Sequence, residues 1–225
     1  MLSNIKELLD EIRTQQKELR TSELNMLIGQ INPHFLYNTL DTIYMLARIN
    51  KEETTMNMIQ ALSKYLRLSL SKGSEIVTVE DELENVKSYL QIRQIRNENL
   101  FTYTIDCEVD PEETWVLKLI LQPLVENAIY HGIKPNGKPG IISIEGGYVG
   151  DNIFVSVKDN GVGICKDQLM EIKDSIDKHH LRAGFGISSV NDRIKLHFGA
   201  EYGLNIYSTY GCGTEIRIIL PSNHA

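Results

Sequence analysis

The chain has 225 residues, of which 30 are acidic and 23 are basic, so its formal net charge is −7. This charge argues against binding of nucleic acid through its phosphates, and no apolar run approaches the roughly 18 residues of a membrane span. Three scattered cysteines lack the spacing of a metal site, which favours a reducing, cytoplasmic setting. The length allows one large domain or two small ones.

Residues 1–30 consist mostly of helix-forming residue types. Apolar residues recur there every seven positions, at Ile5, Ile12, Leu19 and Met26. The companion position three residues later is clearly apolar only at Leu8. An imperfect heptad of this kind suits a parallel coiled coil that must shift its register. A surface helix packed on its own domain is the alternative.

The segment "QINPHFLYNTLDTIYML" has the spacing of an amphipathic helix but contains Pro33 directly before His34. A proline inside a helix removes a backbone donor and costs roughly 3 kcal/mol. Asn38 lies one turn after His34 on the same face, where it can orient the imidazole or hold a water. We predict that the distortion at Pro33 presents His34 as a nucleophile, although an ordinary surface or core histidine is the alternative.

The rest of the first half also has helical periodicity. The predicted helices continue to about Ile49, resume from Met56 to about Leu70, and include "EDELENVKSYLQIRQIR". Thr78 followed by Asp81 is typical of a capping box at the start of the last of these helices. Strand signals are few before residue 98, so we predict helical hairpins up to that point.

After Asn99 the pattern becomes mixed. The predicted strands are "LFTYTIDCEV", the pair "GIISIEGGYVG" and "NIFVSVKD", and the closing hairpin "GLNIYSTYGCGTEIRIILP". The predicted helices are "VLKLILQPLVENAIYHG", which ends at Gly132, then "KDQLMEIKDSI" and "FGISSVNDRIKLHFG". This order fits a mixed sheet with helices on one face, an α/β sandwich. The predicted fold class is therefore α followed by α/β.

Three glycine clusters punctuate the second half: "DNGVG" from Asp159 to Gly163, "GFGI" from Gly184 to Ile187, and "GCGT" from Gly211 to Thr214. Asp159 can accept a hydrogen bond from an exocyclic amine. The second cluster opens a predicted helix, whose free N–H groups suit an anion such as phosphate. A plain hairpin turn is the alternative for the third cluster.

A helix with a polar face precedes these clusters and carries "ENAIYHG". His131 follows Asn127 by four residues, which places both on one face. The side-chain carbonyl oxygen of Asn127 is a suitable ligand for Mg²⁺, which is bound through few protein oxygens plus phosphates and water. A structural hydrogen bond is the alternative for Asn127.

Together these motifs resemble two parts of a known family. "LVENAIYHG", "DNGVG", "GFGI" and "GCGT" resemble the N, G1, G2 and Gly-Thr boxes of the GHKL ATP-binding fold, and "NPHFLYNTL" resembles the phosphoacceptor box of sensor histidine kinases of the LytS/YesM type. The resemblance implies a signalling coiled-coil helix over residues 1–21 and a helical dimerisation and histidine phosphotransfer region over 22–98. It also implies a GHKL-type catalytic ATP-binding domain over 99–225.

The resemblance also implies roles in binding the adenine of ATP. Asp159 would accept a hydrogen bond from the adenine amino group, with Gly161 and Gly163 shaping the pocket. Thr214 would lie behind the adenine.

Other residues would bind the phosphates and Mg²⁺. Asn127 would hold Mg²⁺, with Glu126 and His131 nearby. Gly184 and Gly186 would form the hinge of a phosphate lid.

His34 would then accept the γ-phosphate, with Asn38 beside it, and pass it to an aspartate in the receiver domain of a response regulator. The resemblance implies a homodimer and a cytoplasmic portion of a membrane sensor, without a span of its own. Two positions depart from the family, because Phe35 replaces the acidic residue that serves many such kinases as a base, and Tyr130 replaces a basic residue. A GHKL protein that uses ATP for conformational work or phosphorylates a serine is an alternative, and a scaffold without turnover is another.

Overall fold

The computed structural model describes residues 33–70, 75–177 and 185–222. The predicted coiled coil and Gly184 lie outside these residues. The break predicted at Pro33 also depends on residues outside them, so it stays a prediction. No helix in the described part of the chain has the length and apolar character that crossing a membrane requires.

The described residues alternate between helices and strands from residue 75 onward. The helices are α1 (Pro33–Ile49), α2 (Glu53–Leu70), α3 (Val79–Arg96), α4 (Leu121–Asn127), a π-helix (Ala128–Ile133), α5 (Lys134–Asn136), α6 (Lys166–Asp177) and α7 (Phe185–Phe198). The strands are β1 (Ile76–Thr78), β2 (Phe101–Cys107), β3 (Trp115–Leu117), β4 (Gly140–Val149), β5 (Asn152–Asp159), β6 (Gly203–Thr209) and β7 (Gly213–Pro221).

Helices α1 and α2 form a helical hairpin, as predicted. Their apolar faces meet in a small cluster around Leu40, Ala47 and Ile59. Between the helices, Lys51 adopts a φ of 58°, which reverses the chain. Helix α2 begins at Glu53, three residues before the predicted start at Met56.

Helix α3 begins at the predicted cap, because the Thr78 hydroxyl accepts a hydrogen bond from the Asp81 N–H over 3.2 Å. Acidic residues in its first turn suit the positive end of the helix dipole. Val86 and Leu90 on this helix are fully buried in the same core as the sheet. Although the predicted domain limits remain predictions, α3 thus packs with the α/β part of the chain, and we call β1 to β7 with their helices the α/β unit.

The main sheet confirms the predicted α/β sandwich. Its five strands lie in the order β2-β4-β5-β7-β6, in which β2 and β4 are parallel and the other neighbours antiparallel. One face carries alternating buried residues that pack against α4 and α7; these include Ile142, Ile144, Val155, Val157, Ile216 and Ile218. Asp159, the last residue of β5, lies opposite Thr214 of β7. Two predicted site residues are therefore neighbours at one end of the buried face.

The prediction of a single helix from Val116 to Gly132 was wrong at both ends. Trp115–Leu117 forms a strand that pairs with β1, because a partner distant in sequence supplies a ladder that local periodicity does not reveal. The helix starts only at Leu121 and continues through Gly132 into the π-helix and α5. Gly132 does not end the helix, because contacts with other parts of the fold hold this residue within the helical segment.

Glu82 on α3 fixes the start of α4. Its carboxylate accepts hydrogen bonds from the N–H groups of Leu119, Ile120 and Leu121, the last two over 3.1 and 3.2 Å. Glu82 is only 2% exposed, and this burial raises the pKa of its carboxyl group. The three N–H groups and the charge of Arg193 lower this pKa and so oppose the shift. A helix N-terminus is thus capped by a carboxylate 39 positions earlier in the chain.

We expect Glu82→Ala to reduce the free energy of unfolding by about 2–4 kcal/mol, because it leaves buried N–H groups without a partner. Glu80→Ala is the matched control, since Glu80 lies in the same helical turn but is exposed, and its effect should stay within about 0.5 kcal/mol. Urea unfolding followed by circular dichroism measures both. Equal effects of the two substitutions would contradict the capping role of Glu82.

Candidate functional site

A cavity of about 600 Å³ lies between the sheet and the helices of the α/β unit. The ends of β5 and β7 form its floor, α4 and the π-helix form one wall, and α6 forms another. Of the predicted site residues, it brings together Asn127, His131, Asp159, Gly163 and Thr214. Its lining is mostly apolar with a few polar groups, which is the composition of small-molecule sites.

Asp159 is the buried polar group at the floor of this cavity. Its residue is 5% exposed, and its Oδ1 accepts a hydrogen bond from the Gly161 N–H over 2.8 Å. Burial raises the pKa of Asp159, while the backbone N–H groups of Gly161 and Thr214 act in the opposite direction. A carboxylate held in this way is placed to accept a hydrogen bond from a ligand N–H.

The contact between Asp159 and Gly132 leaves no space for a side chain at Gly132. A Cβ atom there would lie 2.4 Å from Asp159 Oδ1. A Cβ atom at Gly161 would likewise lie 2.1 Å from the Gly132 carbonyl carbon, and the Val162 N–H donates to the Gly132 oxygen over 3.0 Å. Sequence reasoning treated Gly132 only as a helix end, so this site residue was missed. Its position directly after His131 was the available signal.

Gly163 lies at the other end of the glycine loop that begins at Asp159. Its φ is 65°, and a Cβ atom would lie 2.1 Å from the carbonyl oxygen of Thr209. The N–H of Gly211 donates to the Val162 oxygen over 2.7 Å. The predicted "DNGVG" loop and the turn that carries "GCGT" are therefore packed directly together.

Ser208 is a second residue that sequence reasoning missed. Its hydroxyl donates to the Gly213 oxygen over 2.9 Å and accepts from the Ile164 N–H over 2.8 Å. The Thr214 hydroxyl oxygen lies 2.9 Å from the Ser208 hydroxyl oxygen. Ser208 therefore fixes the orientation of Thr214 from a neighbouring strand, a contact for which the sequence contains no local signal.

The amide of Asn127 directs its oxygen away from its own helix. Its Nδ2 donates to the Pro123 carbonyl oxygen over 2.6 Å, which leaves Oδ1 as the atom for a ligand in the cavity. Among the described residues no cluster of three or more histidine, cysteine or acidic side chains could hold a metal ion. A single amide oxygen nevertheless fits Mg²⁺, which takes most of its ligands from phosphates and water.

Glu126 lies outside the cavity lining, although sequence reasoning grouped it with the phosphate-binding residues. Its carboxylate accepts a hydrogen bond from Gln122 Nε2 over 2.9 Å. Gly186 lies in the first turn of α7, where a Cβ atom would lie 3.5 Å from Pro123 Cβ, and its neighbour Ile187 lines the cavity.

The second wall of the cavity was not predicted as part of the site. Gln168, Glu171 and Ile172 on α6 line it, and Tyr210 lies at the rim with 74% of its surface exposed. The sequence of α6 shows only the periodicity of a surface helix, so its role in the cavity follows from the packing.

His34 lies on the helical hairpin, apart from the cavity. The amide of Asn38 is 3.2 Å from His34 Nδ1, the contact that their one-turn spacing predicts. Among the described residues of α1, none lines the cavity. The histidine helix and the cavity are thus two separate parts of one chain.

A mixed sheet with helices on one face, a buried aspartate at the cavity floor and an amide oxygen on the cavity wall define an ATP-binding domain of the GHKL type. Residues 114–224 match the family model "Histidine kinase-, DNA gyrase B-, and HSP90-like ATPase", and residues 22–101 match the model "Histidine kinase". The chain belongs to the histidine kinase family.

Named relatives lie in the same family. The chain is 35% identical over 98% of its length to sensor histidine kinase YesM of Bacillus subtilis, and 32% identical over 95% to sensor protein LytS of Staphylococcus epidermidis. It spans 37% and 36% of the lengths of these proteins. The histidine kinase domain of the Erythrobacter litoralis EL346 blue-light activated kinase superposes with a TM-score of 0.49 at 14% identity, over 84% of this chain and 96% of that domain.

We expect Gly132→Ala to weaken binding of adenine nucleotides by more than about tenfold, because the added methyl group displaces the Asp159 carboxylate that would bind the base. Gly150→Ala is the control. Unlike Gly132, Gly150 has a positive φ, so alanine is strained there, but an added methyl group would meet no other atom within 4 Å. Calorimetric titration with ADP measures both variants. Retention of wild-type affinity by Gly132→Ala would show that the close contact does not shape the site.

Proposed function

We propose that this chain is the kinase module of a two-component sensor, an ATP-dependent protein-histidine kinase that acts as a homodimer. The cavity binds ATP, His34 receives the γ-phosphoryl group, and an aspartate in the receiver domain of a response regulator takes it next. The observation that carries this proposal is that one chain combines a nucleotide-type cavity with an exposed histidine paired to an amide. The sensor kinases named above support it.

The proposal assigns the adenine to the floor of the cavity. The Asp159 carboxylate accepts a hydrogen bond from the adenine amino group, and Gly161 and Gly163 let the backbone approach the ring. Thr214, which Ser208 orients, lies behind the base. The apolar lining between these polar groups suits a flat aromatic ring.

The phosphates extend toward the N-terminus of α7 and the cavity face of the π-helix. Asn127 Oδ1 and His131 face this region, and the helix dipole of α7 favours negative charge near the hinge of Gly184 and Gly186. Mg²⁺, when bound at Asn127, would neutralise phosphate charge. The α7 residues thus bind and orient the triphosphate without contributing a nucleophile.

His34 is the nucleophile of the proposed transfer. The Asn38 amide lies at Nδ1 and orients the ring. Attack by Nε2 requires the tautomer that carries its proton on Nδ1, so in the reactive state the Asn38 amide is flipped and its oxygen accepts from the Nδ1–H. The Nε2 lone pair forms the bond to the γ-phosphorus, while the bond from that phosphorus to the bridging oxygen breaks and ADP leaves with the electron pair. The proton on Nδ1 is then released to water. Such a reaction depends mainly on positioning and charge stabilisation, so the absence of an acidic residue at Phe35 does not prevent it.

The exposed face of α1 supports the proposed homodimer. Large apolar side chains on this face are Phe35, Ile43, Leu46 and Ile49. The hydroxyls of Thr39 and Thr42 between them donate to carbonyl oxygens one turn earlier, each over 2.8 Å. Because both hydroxyls are satisfied within the helix, a second copy of the chain can cover this face without burying a polar group that lacks a partner.

We further propose that the module is the cytoplasmic portion of a longer membrane sensor. Its two named relatives are sensors of which it spans 37% and 36%. The negative net charge fits a partner that is a protein rather than nucleic acid.

The kinase assignment is tested by incubation with γ-labelled ATP and Mg²⁺. We expect label that is lost in acid and retained in alkali, as a phosphohistidine bond requires. His34→Gln should remove the label, and His197→Gln should retain it, because His197 lies at the end of α7. Label that survives acid, or that His34→Gln leaves in place, would contradict the proposal.

The dimer assignment predicts a difference between two neighbouring residues. Met45 and Leu46 are both 55% exposed, but Leu46 lies on the apolar face and Met45 lies on the side of His34. We expect Leu46→Glu to convert the dimer to a monomer, while Met45→Glu leaves it dimeric. Sedimentation equilibrium measures both, and equal behaviour of the two variants would exclude this face as the interface.

A further inference from the structure

Helix α4 has two functional faces. Leu124 and Asn127 line the cavity, whereas Gln122 and Glu126 bind each other on the outer side, where Gln122 also binds Tyr65 of the helical hairpin. Because successive residues of an α-helix are rotated by about 100°, these two pairs lie on roughly opposite sides of the helix. The outer side of α4 packs against α3, and Gln122 on that side also contacts Tyr65 of the hairpin that carries the histidine.

Tyr65 on α2 makes the central contact with that outer side. Gln122 Nε2 donates to the Tyr65 hydroxyl over 2.9 Å, and the hydroxyl lies 3.2 Å from Gln122 Oε1. The same Gln122 amide donates to Glu126. The ring of Tyr65 packs against the core of the α/β unit, with its centroid 6.1 Å from that of Tyr89. We call Tyr65, Gln122 and Glu126 the Tyr65 latch.

The latch lies at the same end of the hairpin as His34. Two contacts show the antiparallel register of α1 and α2: Gln60 Nε2 donates to the Tyr44 hydroxyl over 3.1 Å, and the Tyr37 hydroxyl donates to the Leu66 oxygen over 3.4 Å. His34 precedes Tyr37 by one turn, so it lies level with the C-terminal end of α2, where Tyr65 also lies.

The contact between the hairpin and α3 also includes polar groups. Lys64 forms an ion pair with Glu84, and Asn85 Nδ2 donates to the Ser69 hydroxyl over 2.9 Å. The Oδ1 atom of Asn85 is buried without a hydrogen-bond partner among the described residues. A buried carbonyl oxygen without a partner is destabilising, and it regains a hydrogen bond to water when the contact opens. This gain reduces the free-energy cost of release.

We propose that Tyr65 is a positioning residue that limits the rate of phosphoryl transfer by holding the nucleotide helix against the hairpin, with the cavity turned away from it. This inference rests on the proposed kinase activity. Opening of the latch frees the α/β unit to bring the γ-phosphate to a histidine, while the nucleotide contacts on the other face of α4 stay the same. The latch therefore controls the transfer step and leaves nucleotide affinity unchanged.

Tyr65→Phe tests the latch, because it removes the hydroxyl and keeps the packed ring. Loss of one hydrogen bond should raise the initial rate of His34 labelling at saturating ATP by about two- to tenfold, with the KM for ATP unchanged. Tyr44→Phe is the matched control, since it removes a tyrosine–glutamine bond within the hairpin, and its rate should equal that of wild type. A rate at or below the wild-type rate in Tyr65→Phe overturns the inference.

Gln122→Leu breaks the latch from the other side. It should raise the rate by a similar factor, and the double variant Tyr65→Phe/Gln122→Leu should be no faster than either single variant, because one interaction is removed only once. Multiplied effects in the double variant would show that the two residues act independently, which overturns the latch.

Small-angle X-ray scattering separates failure of the latch from failure of the kinase assignment. Release should increase the radius of gyration of Tyr65→Phe relative to wild type and Tyr44→Phe, whether or not the protein labels His34. Absence of label in wild type would reject the proposed function, and the scattering would still decide the latch. An unchanged radius of gyration in both Tyr65→Phe and Gln122→Leu overturns the latch even if the rate rises.

Discussion

The candidate nucleotide-binding cavity depends on one close approach, between the carboxylate of Asp159 and the backbone at Gly132. No Cβ atom fits between them, so the π-helix and the end of β5 can meet only if position 132 is glycine. The Gly132 oxygen in turn binds the N–H of Val162 and holds the glycine loop. A helix, a strand and a loop are thereby fixed around a single buried carboxylate, whose burial cost the loop N–H groups partly offset.

Helix α3 joins two regions of different character. On the side of the sheet it contributes fully buried apolar residues and the carboxylate of Glu82, which caps α4. On the side of the hairpin its contacts with α2 include a partly exposed ion pair and a buried amide. Apolar burial resists separation, whereas polar contacts exchange readily for water. We therefore expect α3 to move with the α/β unit and the hairpin to move against it.

Periodicity in the sequence was sufficient to predict the helical hairpin, α3 and the sheet, because in these elements the residues that pack together follow local spacing. It failed at Trp115–Leu117, whose strand partner is β1, nearly forty residues earlier. The motifs likewise indicated Asp159 and Asn127, since glycine loops and amides are recognisable locally. Gly132, Ser208 and the α6 wall were missed because their roles arise from contacts between distant segments.

The orientation of Glu126 shows the same distinction at a single position. Its place beside Asn127 in the sequence groups the two, but a rotation of about 100° between neighbours separates their surroundings. Asn127 lines the cavity, while Glu126 binds Gln122, which contacts the hairpin. A motif in one helix can therefore serve two partners at once. In this chain that arrangement places the amide proposed to bind Mg²⁺ and the contact to the histidine hairpin on different sides of one short helix.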